Sequence, residues 1–193
     1  MTTSLKSSSN RPKGEIKSAV IDAKTPGKAA PIGKVKIATS ARAASGHMQW
    51  RKDFFVVAYK ADQFYVVDKV KRGMDPHVVD YVASRMHVTK EKLIQTLGLP
   101  RATLQRKITQ DKPLSVDASS RVFGISRIIG QVEAMVSESG DPAGFDAATW
   151  VASWLERQQP ALGGRKPAEF MDTAEGQQLV SRLLAQTQSG AYA

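Results

Sequence analysis

Five side chains in one short segment have the chemistry that reads DNA. Arg101, Thr103, Gln105, Arg106 and Lys107 follow one another within about two turns of a helix. An arginine can donate two hydrogen bonds to the edge of guanine, glutamine can pair with adenine, and lysine and threonine can hold phosphates. We therefore expect Arg101, Gln105 and Arg106 to contact bases, and Thr103 and Lys107 to contact the DNA backbone.

Most other chemistries find no support in the sequence. The chain has no cysteine, which excludes disulfides, cysteine-ligated metal sites and a thiol nucleophile. Its histidines, His47, His77 and His87, are scattered without the spacing of metal ligands. No carboxylate pair, nucleophile–base pair or glycine-rich cofactor loop stands out. The sequence therefore predicts a protein that is not an enzyme and that holds neither a metal nor a cofactor.

The five polar residues need a scaffold, and the flanking sequence predicts a helix-turn-helix. Thr89 can cap a short helix, Gly98-Leu99-Pro100 interrupts it, and residues 101–109 form the second helix. The inward side chains that would fix the crossing of the two helices are Leu93, Leu97, Leu104 and Ile108. The alternative is a helical hairpin whose polar face is only solvated.

Helical signals continue to the end of the chain. Asp75-Pro76 predicts a helix start, and Ser115 opens a long helix whose apolar residues recur at 3,4,3,4 spacing, which fits either the core or a dimer face. Asp146 caps the next helix, and Asp172 with Glu175 is spaced like a capping box before the last one. The apolar positions of the long helix are Val122, Ile125, Ile129, Val132 and Val136, and those of the last helix are Leu179, Val180, Leu183 and Leu184.

Residues 54–67 leave two interpretations open. Phe54–Tyr59 and Phe64–Val67 are rich in β-branched and aromatic residues, which allows two strands. The i,i+4 pair Val66 and Val70, with Gly73 as a natural terminator, fits a helix equally well. Periodicity does not decide between them.

The positive charge is concentrated at the N-terminal end. The chain of 193 residues has a net charge of +10, of which residues 1–45 carry +7, residues 46–60 carry +2, residues 61–139 carry +3 and residues 140–193 carry −2. Residues 1–45 also lack aromatic side chains, and this composition predicts a disordered basic arm. No apolar run approaches the roughly 20 residues that span a bilayer, and no secretory signal is present, so we expect a cytoplasmic protein without a membrane partner.

Several short motifs in the rest of the chain occur in a fixed order. They are Leu97-Gly-Leu-Pro-Arg-Ala-Thr-Leu-Gln-Arg-Lys, Leu114-Ser-Val-Asp-Ala-Ser-Ser-Arg-Val, Trp154-Leu-Glu, Ala161-Leu-Gly-Gly-Arg-Lys-Pro167, Asp172-Thr-Ala-Glu-Gly176 and Leu183-Leu-Ala-Gln-Thr-Gln-Ser-Gly-Ala-Tyr192. Together they resemble the Xre/MbcA/ParS antitoxins of type II toxin–antitoxin systems over roughly residues 61–193. The most specific part runs from Trp154 to Tyr192. The polar stretch Gln186–Ser189 departs from the family, which has charged residues there.

The resemblance implies an antitoxin with two partners and a homodimeric state. The cognate toxins of the family carry a RES domain and consume NAD, and the last helix and C-terminal tail of the antitoxin lie against the toxin's active-site cleft. The family pattern also favours a helix over residues 61–72. By position, the toxin-binding residues of this chain would be Arg165, Lys166, Arg182, Gln186, Gly190, Ala191 and Tyr192.

We therefore expect an all-α protein in three parts: a disordered basic arm (1–45), a helix-turn-helix region for DNA binding and dimerisation (46–139) and a small helical toxin-binding domain (140–193). Its expected function is to block a RES-type toxin and to repress its own operon by binding operator DNA. One alternative is a stand-alone repressor whose C-terminal domain only oligomerises. Another is a polar-localised or scaffolding module without a DNA role.

Overall fold

The computed structural model describes Met1, Arg51, residues 53–140 and residues 143–188. In that part of the chain the structure has eight α-helices, two 3₁₀ turns and no β-strand. The α-helices are α1 (Phe54–Lys60), α2 (Gln63–Arg72), α3 (Val78–Arg85), α4 (Lys90–Thr96), α5 (Arg101–Thr109), α6 (Val116–Ser139), α7 (Ala147–Leu155) and α8 (Ala174–Gln188). The 3₁₀ turns, Pro160–Leu162 and Pro167–Phe170, lie between α7 and α8. The predicted all-α class is confirmed, whereas the predicted arm of residues 1–45 lies outside the described residues, Met1 apart.

The ambiguous stretch after Arg51 forms two helices, α1 and α2. Phe55 and Ala58 on one face of α1 are buried in the core, so packing against the rest of the fold decides against the local β propensity. Extended backbone at Ala61, with ψ 135°, separates the helices. Asp62 then caps α2 by accepting a hydrogen bond of 3.0 Å from the backbone N–H of Tyr65.

Helix α6 is the centre of the fold, and it packs against α1, α2, α3, α7 and α8. Four of its five seam residues, Val122, Ile125, Ile129 and Val132, are at most 4% exposed. The 3,4,3,4 seam is therefore part of the chain's own core rather than a dimer face. The helices on either side of residues 139 and 140 share this core, and the predicted domain boundary there stays a prediction.

Gly130 allows α1 to lie unusually close to α6. A Cβ atom added at this position would lie 1.9 Å from the backbone oxygen of Phe55, a distance that no side chain can occupy without displacing one of the helices. Glycine is therefore required here by the close approach of two backbones.

Three predicted helix caps are confirmed. Thr89 accepts a hydrogen bond from the backbone N–H of Lys92 at 3.1 Å. Ser115 accepts one from the backbone N–H of Ala118 at 3.2 Å, and Asp146 accepts one from the backbone N–H of Thr149 at 2.8 Å. Side-chain oxygens thus occupy otherwise unpaired amides at the starts of α4, α6 and α7.

Two predicted helix starts and one predicted core residue are wrong. Asp75 accepts a hydrogen bond from the backbone N–H of His77, but α3 begins only at Val78, after this turn. At α8 the capping oxygen belongs to Thr173, which accepts from the backbone N–H of Gly176 at 3.1 Å, and not to Asp172. Leu179 is 39% exposed because the buried face of α8 passes through Gln177 instead.

None of the helices among the described residues is long and apolar enough to cross a lipid bilayer.

Candidate functional site

Helices α4 and α5 and the turn between them form the predicted helix-turn-helix. Gly98 in the turn has a φ of +57°, a left-handed conformation that favours glycine. The backbone N–H of Leu99 closes the turn by donating to the carbonyl oxygen of Ile94 at 2.9 Å. Leu97 and Leu104, one from each side of the turn, are buried in the common core. The two helices are therefore held at a fixed crossing.

The outer face of α5 carries the predicted DNA-reading residues. Arg101, Gln105 and Arg106 are exposed, whereas Thr103 and Lys107 are partly buried. The roles of these residues in DNA binding stay a prediction. Arg101 forms a long ion pair of 3.4 Å with Glu91 on α4. In the part of the chain that the structure describes, Arg106 and Lys107 have no carboxylate partner.

Arg121 on α6 was not predicted to contribute to this site, yet it holds the turn in place. Its Nη1 donates to the carbonyl oxygens of Gly98 at 2.7 Å and Leu97 at 3.2 Å. Its Nη2 forms an ion pair of 2.8 Å with Asp117. The i,i+4 spacing of Asp117 and Arg121 could have indicated the ion pair. No sequence signal indicates the bonds to a turn more than twenty residues away.

Gln177 connects the same segment of α6 to the C-terminal part of the chain. Its buried Nε2 donates to the carbonyl oxygen of Arg121 at 3.0 Å and to that of Met171 at 2.8 Å. A second bond pair lies further along these helices, where Ser181 donates to Gln131 at 2.7 Å and Gln131 donates to the carbonyl oxygen of Ser181 at 3.0 Å. These buried amides fix the register of α8 on α6.

The predicted toxin-binding residues that the structure describes lie in two places. Arg165 and Lys166 lie together in the turn before Pro167, both exposed. Arg165 forms an ion pair with Glu169 at 2.9 Å and lies over the ring of Phe170, 4.4 Å from its centroid. Arg182 and Gln186 are exposed and lie one turn apart on α8. Gly190, Ala191 and Tyr192, the remaining predicted residues, lie outside the described residues.

Glu156 joins the first helix of the helix-turn-helix to the C-terminal part. One carboxylate oxygen binds Lys92 of α4 at 2.6 Å, and the other binds Lys166 at 3.1 Å. The hydrogen bond from Lys92 lowers the pKa of Glu156 most, and the bond from Lys166 adds to this against the opposing effect of burial. Lys166 thus has a structural partner within the chain as well as an exposed position.

A groove of about 310 Å³ lies between α2, α6 and α8. Its wall on α2 is apolar, and arginines from α6 and α8 lie along it. Among the described residues, no group of three or more His, Asp or Glu side chains is arranged to hold a metal ion.

Comparison with known proteins identifies both halves of the described chain. Residues 67–127 match the family model of the antitoxin Xre-like helix-turn-helix domain. Residues 143–190 match that of the antitoxin Xre/MbcA/ParS C-terminal toxin-binding domain. The first matched range contains α3, α4, α5 and Arg121, and the second contains the turn at Arg165 and Lys166 together with α8.

Individual relatives agree with these matches. The chain is 42% identical over 135 residues to a protein of Sphingobium sp. (strain YBL2) named "Prs ADP-ribosylating antitoxin", covering 70% of this chain and 85% of the relative. It is 26% identical over 127 residues to Antitoxin Xre of Yersinia enterocolitica, covering 66% of this chain and 80% of the relative. With Antitoxin Xre of Pseudomonas putida it shares 29% identity over 92 residues, which cover 48% of this chain and 52% of the relative.

Proposed function

Because this chain belongs to the Xre/MbcA/ParS family of antitoxins, we propose that it neutralises an NAD-consuming toxin of the RES type and represses its own operon. The observation that carries the proposal is that an antitoxin helix-turn-helix and an antitoxin toxin-binding domain are matched in one chain. The protein acts by binding rather than by catalysis, and it works in the cytoplasm.

The partner toxin is proposed to use NAD. The Sphingobium relative has "ADP-ribosylating" in its name, and ADP-ribose is a group that NAD donates. The resemblance to the family adds the RES domain. The C-terminal domain would occlude the toxin's pocket through Arg165, Lys166, Arg182 and Gln186 together with the tail residues Gly190, Ala191 and Tyr192.

Operator binding is proposed to use the outer face of α5. Arg101, Gln105 and Arg106 are exposed there, on the helix that follows the turn held by Arg121, and they supply the donors and acceptors that base edges require. Thr103 and Lys107 lie closer to the protein surface and suit the phosphates. Repression follows when this contact covers the promoter.

A homodimer completes the proposal, because helix-turn-helix proteins commonly bind two half-sites with two-fold symmetry. Helix α2 offers an apolar surface for the second copy. Phe64 is 87% exposed, Tyr65 49% and Val67 48%, and monomeric proteins rarely expose contiguous apolar patches of large size.

Co-expression with the product of the adjacent gene, followed by co-purification, tests the toxin partner. We expect a stable complex in which the toxin is inactive, and DNA binding by the antitoxin to its own promoter. Promoter binding without any toxin complex would favour a stand-alone repressor whose C-terminal domain only oligomerises. A toxin complex without promoter binding would remove the repressor half of the proposal.

A further inference from the structure

The groove between α2, α6 and α8 combines an apolar wall with unpaired positive charge. Val66 and Val70 of α2 form one side, and Phe123 and Ile128 of α6 lie beneath. None of the residues of α2 is buried, so the described part of the chain covers this apolar wall incompletely. The groove is lined also by Ser120, Gly124, Arg127, Ala174, Gln177, Gln178, Ser181 and Arg182.

Two arginines give the groove its charge. Arg127 of α6 and Arg182 of α8 are both exposed, and neither has a carboxylate partner among the described residues. The side chain of Arg182 makes one weak hydrogen bond, from Nε to the carbonyl oxygen of Gln178 at 3.4 Å. No acidic side chain lines the groove. By contrast, Arg121 and Arg165 are each paired with a carboxylate.

We propose that this groove binds an acidic segment of the partner toxin, with a carboxylate between Arg127 and Arg182 and an apolar side chain against Val66 and Val70. The inference rests on the proposed antitoxin function. Guanidinium groups favour carboxylates because they can donate two parallel hydrogen bonds. The apolar wall favours a protein segment over a phosphate, which would gain nothing from two valines and a phenylalanine.

A second copy of this chain fits the groove less well than a toxin segment. A two-fold contact places the same surface on both sides, so Arg127 and Arg182 of one copy would face those of the other. Like charges brought together in this way oppose association. The apolar face proposed for the dimer, around Phe64, lies outside the residues that line the groove.

The binding experiment uses the full chain and the toxin obtained from co-purification. The test variant combines Arg127→Glu with Arg182→Glu, and we expect it to weaken toxin affinity by about 100-fold or more, since it replaces two attractive contacts with repulsive ones. The control is Arg157→Glu, which makes one such charge reversal, half of the total change in the double variant, at an exposed arginine outside the groove. We expect the control to stay within about threefold of the unchanged chain.

A second variant separates a protein segment from a simple anion. Val66→Gln keeps the charges of the groove but removes its apolar wall. We expect it to weaken toxin binding by about tenfold, as the removal of a partly buried apolar side chain should. Because Val66 also packs against the core of the chain, the melting temperature should fall slightly, while the helical content measured by circular dichroism and the operator affinity stay unchanged. Unchanged toxin affinity of Val66→Gln would overturn the apolar half of the proposal.

The remaining outcomes distinguish the groove from the antitoxin function itself. If the unchanged chain binds the toxin and the double arginine variant binds it equally well, the groove proposal is wrong and Arg182 is not a toxin contact, while the antitoxin function stands. If the unchanged chain binds no toxin, both fail. If the double variant alters the oligomeric state instead of toxin affinity, the groove is an interface between copies of this chain, and the toxin segment is excluded.

Discussion

The guanidinium group of Arg121 donates a hydrogen bond of 2.7 Å to the carbonyl oxygen of Gly98. This bond ties the middle of the fold to the turn that sets the angle between α4 and α5. The backbone oxygen of Arg121 in turn accepts from Gln177 of α8. Helix α5 is therefore positioned by residues that lie outside the two helices of the helix-turn-helix, including Gln177 in the range that matches the toxin-binding domain.

Arg121→Ala should loosen this turn. It removes charged hydrogen bonds to two carbonyl oxygens, so we expect the free energy of unfolding to fall by about 2–3 kcal/mol. Operator affinity should also fall, whereas its dependence on salt concentration should not change, because Arg121 is not proposed to contact phosphate. Urea unfolding and fluorescence anisotropy at several salt concentrations measure the two effects.

Asp117→Asn is the matched control for Arg121→Ala. It breaks only the ion pair between Asp117 and Arg121, in which the side chain of Asp117 is 68% exposed. We expect the free energy of unfolding to fall by less than about 1 kcal/mol and operator binding to stay normal. An equal drop in affinity in both variants would assign the effect to the ion pair rather than to the bonds with the turn.

The residues of α5 should separate into base and phosphate contacts. Arg101→Ala combined with Arg106→Ala should weaken operator binding by about 1–3 kcal/mol for each arginine that no longer reaches a base, and it should relax the sequence preference. Lys107→Ala should weaken binding to all sequences and lower the salt slope by about one unit. Lys71→Ala removes an exposed lysine of α2 as a control. Unchanged promoter affinity and salt slope in the double variant would disprove the proposal that the outer face of α5 contacts the operator.

Gly130→Ala should destabilise the whole fold. The added methyl group would lie 1.9 Å from the backbone oxygen of Phe55, and α1 must move to accommodate it. Overpacking of this kind costs about 1–3 kcal/mol or more. Ser137→Ala, at an exposed position of the same helix, should leave the unfolding midpoint in urea nearly unchanged. A wild-type midpoint for Gly130→Ala would mean that α1 is not held against α6 as described.

The sequence predicted the parts of the fold that depend on local patterns. Helix caps such as Thr89, Ser115 and Asp146, the glycine turn at Gly98 and the exposed face of α5 follow from residue type and spacing alone. These features involve residues a few positions apart, and their geometry is nearly independent of the rest of the chain.

Features that depend on tertiary packing could not be predicted in the same way. Helix α1 forms in this stretch because Phe55 and Ala58 pack in the core, an interaction that local propensity does not contain. Leu179 is exposed because Gln177 takes the inward position and finds two carbonyl acceptors there. The role of Arg121 depends on a turn distant in sequence. In each case packing between distant segments decides a choice that the local pattern leaves open.

Acid should weaken the link through Glu156. Lys92 and Lys166 hold the pKa of Glu156 below its ordinary value of 4.5. A carboxyl group whose pKa is lower in the folded state stabilises the fold above its unfolded pKa, and this stabilisation disappears as the pH falls through the folded value. Because Glu156 is partly exposed, the effect should stay below about 1 kcal/mol.

Urea unfolding of the Glu156→Gln variant at neutral pH and well below pH 4.5 measures this effect. We expect the variant to be less stable than the unchanged chain at neutral pH and equally stable in acid. Glu138→Gln, which changes an exposed glutamate of α6 without an ion pair in the described structure, should behave like the unchanged chain at both pH values. A constant difference between Glu156→Gln and the unchanged chain at every pH would exclude the two-lysine link as its cause.

Deletion of residues 190–193 tests whether the tail blocks the toxin. If Gly190, Ala191 and Tyr192 occupy the toxin's pocket, the shortened antitoxin should still bind the toxin through Arg165, Lys166 and Arg182 but should no longer suppress its activity. Growth of cells that express both proteins and NAD consumption by the purified complex measure this change. Operator affinity is the internal control, because the deletion leaves α4, α5 and Arg121 intact. Full neutralisation by the shortened chain would disprove occlusion by the tail, and it would move the inhibitory contact to the turn at Arg165 and to α8, while leaving the antitoxin function in place.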